Sequence, residues 1–222
     1  DRATGAQCLI AWSQVCSAKS EGSVGVRDLA TQNTCLLLKM LHRLHSSASR
    51  WASWIWAELN GRSLLHPGSC RRARAHGRSL RGMLPLYRAM SRVSVHDGRR
   101  TSFWLDWWLP CGPLSVAFPA LYSHTTCAEA TVSHVWGGGL DRVLVPRHTQ
   151  AGARERAALL AILPEAPATP GVDERVLPLC GHPRSGGLVT SRTYVLLSYD
   201  GRLSPHAAFV WGTRAPSRVK FF

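Results

Sequence analysis

The longest apolar pattern at helical spacing lies between Asn33 and Leu59, where Leu37, Leu41, Leu44, Ala48, Trp51, Ile55 and Glu58 recur at alternating intervals of three and four. That period turns one face of a helix toward a core, with only Glu58 breaking the stripe and Leu59 beside it. Thr31, Asn33 or Thr34 suits the start, and Ser46, Ser47 and Ser49 offer a second cap. The pattern therefore fits one long helix or two helices with a break near Ser47. Trp51 and Ile55 read as packing, which leaves Trp54 or Trp56 available to a partner.

The period shortens further along. Val93 and Val95 on one side and Thr101 and Phe103 on the other flank Asp97-Gly98. An Asp-Gly pair between two alternating runs predicts a β-hairpin, with Phe103 and Trp104 on opposite faces of a regular strand. Between these two regions, from Gly61 to Gly82, the chain turns to Arg, Gly, Ser and His, a composition suited to a loop or linker. A short helix through Leu84, Leu86, Tyr87 and Met90 follows, with Pro85 placed in its first turn. Beyond Trp136, the run Gly137-Gly138-Gly139 marks a flexible join. Ala151 to Leu163 reads as a helix ended by Pro164, and Pro164, Pro167 and Pro170 define an irregular connector. Val189, Tyr194, Val195 and Leu197 fit a strand or a short helix.

The expected architecture is α+β, with N-terminal helices, a mid-chain β-hairpin and a loosely attached C-terminal part. Its segments are a helical part over 1–60, a basic flexible linker over 61–82, a hairpin-containing segment over 83–136, an irregular connector with one helix over 137–186, and a last segment over 187–222.

One motif carries more than local structure. Val95, Asp97, Gly98, Phe103, Trp104, Asp106, Trp108 and Leu109, then Pro113, Leu114, Phe118, Pro119, Leu121 and Tyr122, follow one another in an order hard to reach by chance. This stretch resembles the region after the polymerase core in plant non-LTR (LINE-type) retrotransposon reverse transcriptases, of the form V-G-D-G-x-x-x-x-F-W-x-D-x-W-L followed by P-L-x-x-x-F-P-x-L-Y. His96 stands where that pattern has its first glycine. Upstream, Gly25-Val26-Arg27-Asp28-Leu29 and Asn33-Thr34-Cys35-Leu36-Leu37-Leu38-Lys39 are similar to the family's G-L-G-x-R-D-L and N-x-x-L-L-x-K block. Near the other end, Trp211 and Ala215-Pro216-Ser217-Arg218-Val219-Lys220-Phe221-Phe222 resemble W-x-x-x-A-P-x-K-V-K-F-F, which precedes a zinc-binding cluster in the family. Leu188-Val189-Thr190-Ser191 and Tyr194 stand where the family has F-S-x-x-x-A-Y-x-x-L. The stretch from about Gly137 to Gly187 matches poorly.

The resemblance implies a fragment whose missing partners are the polymerase and zinc-binding parts of a parent protein, with the zinc ligands beyond Phe222. It does not imply polymerase chemistry here. That reaction holds two metal ions on paired aspartates, and the seven aspartates of the chain, Asp1, Asp28, Asp97, Asp106, Asp141, Asp173 and Asp200, all stand singly. Asp106 reads instead as a hydrogen-bonding corner beside Arg99, Arg100 and indole N–H donors, because general acid–base chemistry would need a second carboxylate or a His within reach. The structural motif residues are thus Asp97, Gly98, Phe103, Trp104, Asp106 and Trp108, and no catalytic residue is assigned.

Charge suggests the partner. The formal net charge is +14, and eight arginines with no acid lie between Glu58 and Asp97. Such a block attracts phosphate backbones, which makes Arg71, Arg72, Arg74, Arg78 and Arg81 the candidate contacts to RNA or DNA. Arginine supplies 24 of the 27 basic residues, so coding bias competes with this reading.

Seven cysteines at irregular spacing, with no Cys-x-x-Cys pair, argue against a disulfide framework and a zinc cluster alike. Cys180 with His182 makes half of a tetrahedral site, so no metal or other cofactor is expected. No apolar run reaches the ~18 to 20 residues of a membrane span and no signal-peptide pattern is visible, so no membrane partner is expected and the reading is intracellular, with the nucleus a candidate site. Phosphate-binding loops of the form G-x-x-x-x-G-K-[ST] and G-x-S-x-G elbows do not occur. The functional expectation is a non-catalytic polyprotein segment that connects polymerase and zinc-binding parts and contacts nucleic acid. The competing classes are a host-coded protein-interaction module and a non-functional translated relic.

Overall fold

A computed structural model describes residues 11–46, 49–59, 74–165, 171–199 and 204–214. In chain order the helices are α1 (Trp12–Cys16), α2 (Leu29–Ser46), α3 (Arg50–Leu59), α4 (Arg74–Met90), α5 (Leu114–Ala117), α6 (Pro119–Tyr122), α7 (Val132–Gly138), α8 (Gln150–Ile162), α9 (Thr190–Ser198) and α10 (Ala207–Gly212). Two strands, β1 (Arg92–Ser94) and β2 (Glu174–Val176), pair antiparallel, so the fold is α+β. The chain divides into two compact units, one of Asp1–Leu36 with Thr190–Phe222 and one of Leu37–Val189.

In the first unit, the start of α2 is set by Asp28 rather than by the threonines or Asn33. The Asp28 carboxylate accepts from the Thr31 backbone N–H at 2.8 Å and from its hydroxyl at 2.7 Å, and the helix opens at Leu29. An acid ahead of the first turn satisfies donors that have no intrahelical partner and faces the positive end of the helix dipole. The Tyr194 hydroxyl of α9 accepts from the Asp28 N–H at 2.8 Å, so the 187–222 segment supplies a helix here rather than a strand.

In the second unit, the break between α2 and α3 falls at the serines, with the Ser49 side chain accepting from the Ala52 N–H. Here α2 buries Leu38, Leu41 and Leu44, one position off the expected stripe at Leu37, and α3 buries Ala52 and Ile55. The fourth helix starts at Arg74, inside the stretch expected as linker, and runs through Pro85. Proline removes one backbone hydrogen bond there, but burial of Leu80, Leu84 and Tyr87 along one face offsets it. The rest of the expected linker, residues 60–73, lies outside the described residues.

The triple glycine is not a join. Gly137 and Gly138 close α7, whose Thr131 cap accepts from the His134 N–H, and Gly139 follows at φ +79° as the helix ends. The eighth helix matches expectation closely, capped by Thr149 and ended before Pro164. Its Glu155 carboxylate accepts from the Leu121 N–H at 2.7 Å and so ties α8 to α6. Around these helices lies one core of Phe103, Trp104, Leu109, Leu114, Leu121, Val132, Val135, Leu140, Val143, Leu144 and Leu159.

Candidate functional site: an arginine and carboxylate node

The Asp97-Gly98 segment turns as expected, with Gly98 at φ +66°, yet no hairpin forms. Strand β1 pairs instead with β2, Arg92 opposite Val176, Val93 opposite Arg175 and Ser94 opposite Glu174. The cause is Asp173, just ahead of β2. Its buried carboxylate accepts from the backbone N–H of His96 at 2.8 Å, Gly98 at 2.9 Å and Arg100 at 3.2 Å, and from the Thr101 hydroxyl at 2.7 Å. A carboxylate that collects three N–H donors wraps the loop around itself, and the chain beyond it pairs elsewhere, Ser102 bridging antiparallel to Thr131. Asp97 does the local part of the work, accepting from the Arg99 N–H at 2.9 Å.

Residues 103–105 form a turn, so Phe103 and Trp104 do not alternate. Both are 0% exposed and meet edge to face at 4.9 Å, and Trp108 donates its indole N–H to the Phe103 carbonyl at 2.9 Å. Phe103 and Trp104 are therefore core, and the half-buried Trp108, Tyr122 and Trp136 pack against them, Tyr122 on Trp104 and Trp136 on Trp108.

Asp106 is a buried corner, as its isolation suggested, but its partners are Arg88 and Arg175 rather than Arg99 and Arg100. Arg175 donates to both carboxylate oxygens, at 2.7 and 3.1 Å, Arg88 donates from Nε at 3.2 Å, and the Ser102 N–H donates at 2.7 Å. Burial, the largest single influence, would raise the Asp106 pKa, but Arg175, Arg88 and the Ser102 N–H together outweigh it, so the carboxyl stays below the usual carboxylate range. The register of β1 and β2 explains how Arg175 arrives. It is the middle residue of β2, opposite Val93, and both face inward in an exposed–buried–exposed pattern. A slip by one residue would turn Arg175 to solvent.

Next to this pair stand His42, His45 and Tyr87. His42 contacts the Tyr87 hydroxyl through Nδ1 at 3.0 Å and the Gly186 carbonyl through Nε2 at 3.1 Å. His45 stacks on Tyr87 at 5.5 Å and meets Trp56 edge-on at 5.2 Å. Burial, with Arg175, Arg88 and Arg100 close by, holds His45 neutral well below the usual imidazole range. Trp56, one of the two tryptophans expected to be available, donates its indole N–H to the Leu44 carbonyl and lies under the Arg100 guanidinium, whereas Trp54 is 49% exposed.

Of the candidate nucleic-acid arginines, Arg71 and Arg72 lie outside the described residues. Arg74, Arg78 and Arg81 occupy successive turns of α4. Cys180 is buried, while His182 accepts through Nδ1 from the Arg184 and Ser185 N–H groups of its own loop, so the two do not make a ligand pair. Among the described residues no three His, Cys, Asp or Glu side chains gather into a metal-binding group, and no helix is long and apolar enough to cross a membrane.

Sequence reading missed Asp173, Arg175, Arg88, His42 and His45. Residues 172–177 read Val-Asp-Glu-Arg-Val-Leu, with no apolar alternation, so nothing local announced a short strand with an inward arginine.

A protein of Arabidopsis thaliana named "Putative ribonuclease H protein" is 26% identical to the chain over 235 residues, an alignment that takes in 97% of the chain and 36% of that protein. The chain thus spans about a third of the length of the relative it matches. No family model matches the chain, and no solved structure matches it.

Proposed function

We propose that the chain is a non-catalytic segment of a retroelement-derived polyprotein, the connector between polymerase and zinc-binding parts, and that it contacts RNA or DNA through arginines. The observation that carries this reading is the alignment of nearly the whole chain within a longer plant protein named for a ribonuclease, a class of enzyme that handles nucleic acid. The motif from Val95 to Tyr122 supports the retroelement origin, and the acid-free arginine block supports the contact. Polymerase catalysis is left to other parts of the polyprotein, because every aspartate of the sequence stands singly and Asp106 is consumed by two arginines. An intracellular, nuclear place of action follows from the same reading.

Binding of the chain to labelled single-stranded RNA and duplex DNA at low salt tests it, beside a variant with Arg71, Arg72, Arg74, Arg78 and Arg81 changed to Ala. Binding by the parent chain and its loss in the folded variant are expected. A folded parent chain that binds neither nucleic acid overturns the proposal and leaves the protein-interaction module.

A further inference from the structure

Beside the Asp106 node the second unit has a half-open pocket of about 20 Å³, lined by His45, Trp56, Arg88, Arg99, Arg100, Arg175 and Glu129 among others. Four arginines face three carboxylates there, Glu129 in the wall and Asp106 and Asp173 behind it, which leaves a local excess of one positive charge. Both ring nitrogens of His45 are buried without a hydrogen-bond partner, and so is the Nε of Arg175. A neutral imidazole carries one N–H, so the unmet donors are that group and the Arg175 Nε–H. Buried donors without partners cost folding free energy, and two of them beside one pocket under surplus positive charge mark a place built to receive an acceptor.

We propose that this pocket is an anion site that takes one phosphate group of a nucleic acid. A space of this size, open on one side, holds a single oxygen atom with its donors. One phosphate oxygen enters to meet His45 and Arg175, and the other oxygens stay at the mouth, where Arg99 is exposed and Arg100 half-buried. The planar fork of arginine suits that geometry, and Arg100 is held over the Trp56 ring at 5.0 Å, which limits the freedom it loses on binding. His45 donates from whichever nitrogen carries its proton, and the bound anion favours the protonated ring that its arginine neighbours disfavour. The source of the phosphate rests on the nucleic-acid reading above; the site itself does not use Arg71, Arg72, Arg74, Arg78 or Arg81.

The test is a titration of the whole chain with inorganic phosphate at constant ionic strength, with chloride as the compensating anion, read by the His45 ring resonances. The variants are R99A/R100A and R99A alone, with near-ultraviolet circular dichroism to establish folding. Saturable movement of the His45 resonances is expected, weakened at least tenfold in R99A/R100A, partly weakened in R99A, and retained when the five arginines of 71–81 are changed to Ala. An oligoribonucleotide with and without a 5′-phosphate then separates a terminal phosphate from an internucleotide one, and competition with inorganic phosphate by either places nucleic acid in the site. Phosphate acting no differently from chloride, or equally on the parent chain and folded R99A, overturns the anion site. RNA binding that depends on the 71–81 arginines while phosphate leaves His45 unmoved refutes this site and spares the connector reading.

Discussion

Asp106 and Arg175, 69 residues apart in the chain, meet through two hydrogen bonds of 2.7 and 3.1 Å with both side chains buried. A pair like this specifies an arrangement more than it adds stability, because desolvating both charges offsets much of their attraction, whereas removing one partner strands the other. It fixes the register of β2 against β1 and thereby places Asp173 under the Asp97-Gly98 loop.

Asp106→Asn is expected to destabilise the second unit by about 3 to 5 kcal/mol, since Arg175 would then be buried without a counter-charge. Urea unfolding followed by tryptophan fluorescence measures this. A loss below about 1 kcal/mol would show that the node is not what holds the strands.

Asp173→Ala should cost roughly 2 to 3 kcal/mol and expose the amides of His96, Gly98 and Arg100 to rapid hydrogen exchange, because three N–H donors lose a charged acceptor together. Asp97→Ala removes a single hydrogen bond at an exposed turn and should stay within about 1 kcal/mol of the parent chain. Equal exchange in the two variants would contradict the role given to Asp173.

Gly98 sits at φ +66°, and a Cβ there would meet the Ser133 nitrogen at 2.8 Å and the Val132 Cβ at 3.0 Å. Gly112 is also left-handed, at φ +93°, but a Cβ there meets nothing within 4 Å. Gly98→Ala should therefore cost about 1 to 3 kcal/mol and clearly more than Gly112→Ala, which carries only backbone strain. Thermal midpoints of the two variants compare them directly.

Stability should fall with acid in two steps. His45 is held neutral below its usual range, so between that lowered value and about pH 6.5 the unfolded chain binds a proton the folded chain does not. Its contribution is complete above pH 6.5 and declines below it, at up to about 1.4 kcal/mol per pH unit. Asp106 also has a depressed folded value, so its contribution is complete above about pH 4 and is lost as the pH drops further. The groups that face His45 are Arg88, Arg99, Arg100, Arg175, His42, Tyr87 and Glu129. His42, whose ring burial also lowers, contributes in the same window, so His45→Phe should shrink the upper step without abolishing it and leave the lower one, as urea midpoints across pH would record.

Much of the local structure was legible in the chain. Ser46 and Ser49 compete for backbone hydrogen bonds where α2 ends and α3 begins, and Thr149 and Pro164 bracket α8 for equally local reasons. Asp106 announced itself as a corner through its isolation. What the sequence concealed was long-range. An Asp-Gly turn says that the chain bends, not what it pairs with, and the partner strand lies some 80 residues on, preceded by the carboxylate that claims the loop amides. The arginines beside Asp106 in sequence were the wrong ones, since adjacency in the chain says little about which guanidinium reaches a buried carboxylate. Helix α4 was hidden by composition, its Arg, Gly and Ser masking the stripe of Leu80, Leu84 and Tyr87 that folds it.

The salt dependence of nucleic-acid affinity tests the central claim most directly. With the chain bound to single-stranded RNA, log Kobs against log salt should fall with a slope of about −0.7 for each phosphate contact. Changing Arg71, Arg72, Arg74, Arg78 and Arg81 to Ala should flatten that slope by several contacts, and R99A/R100A should flatten it by about one. A parent slope near zero, or one left unchanged by the five alanines, would contradict the account.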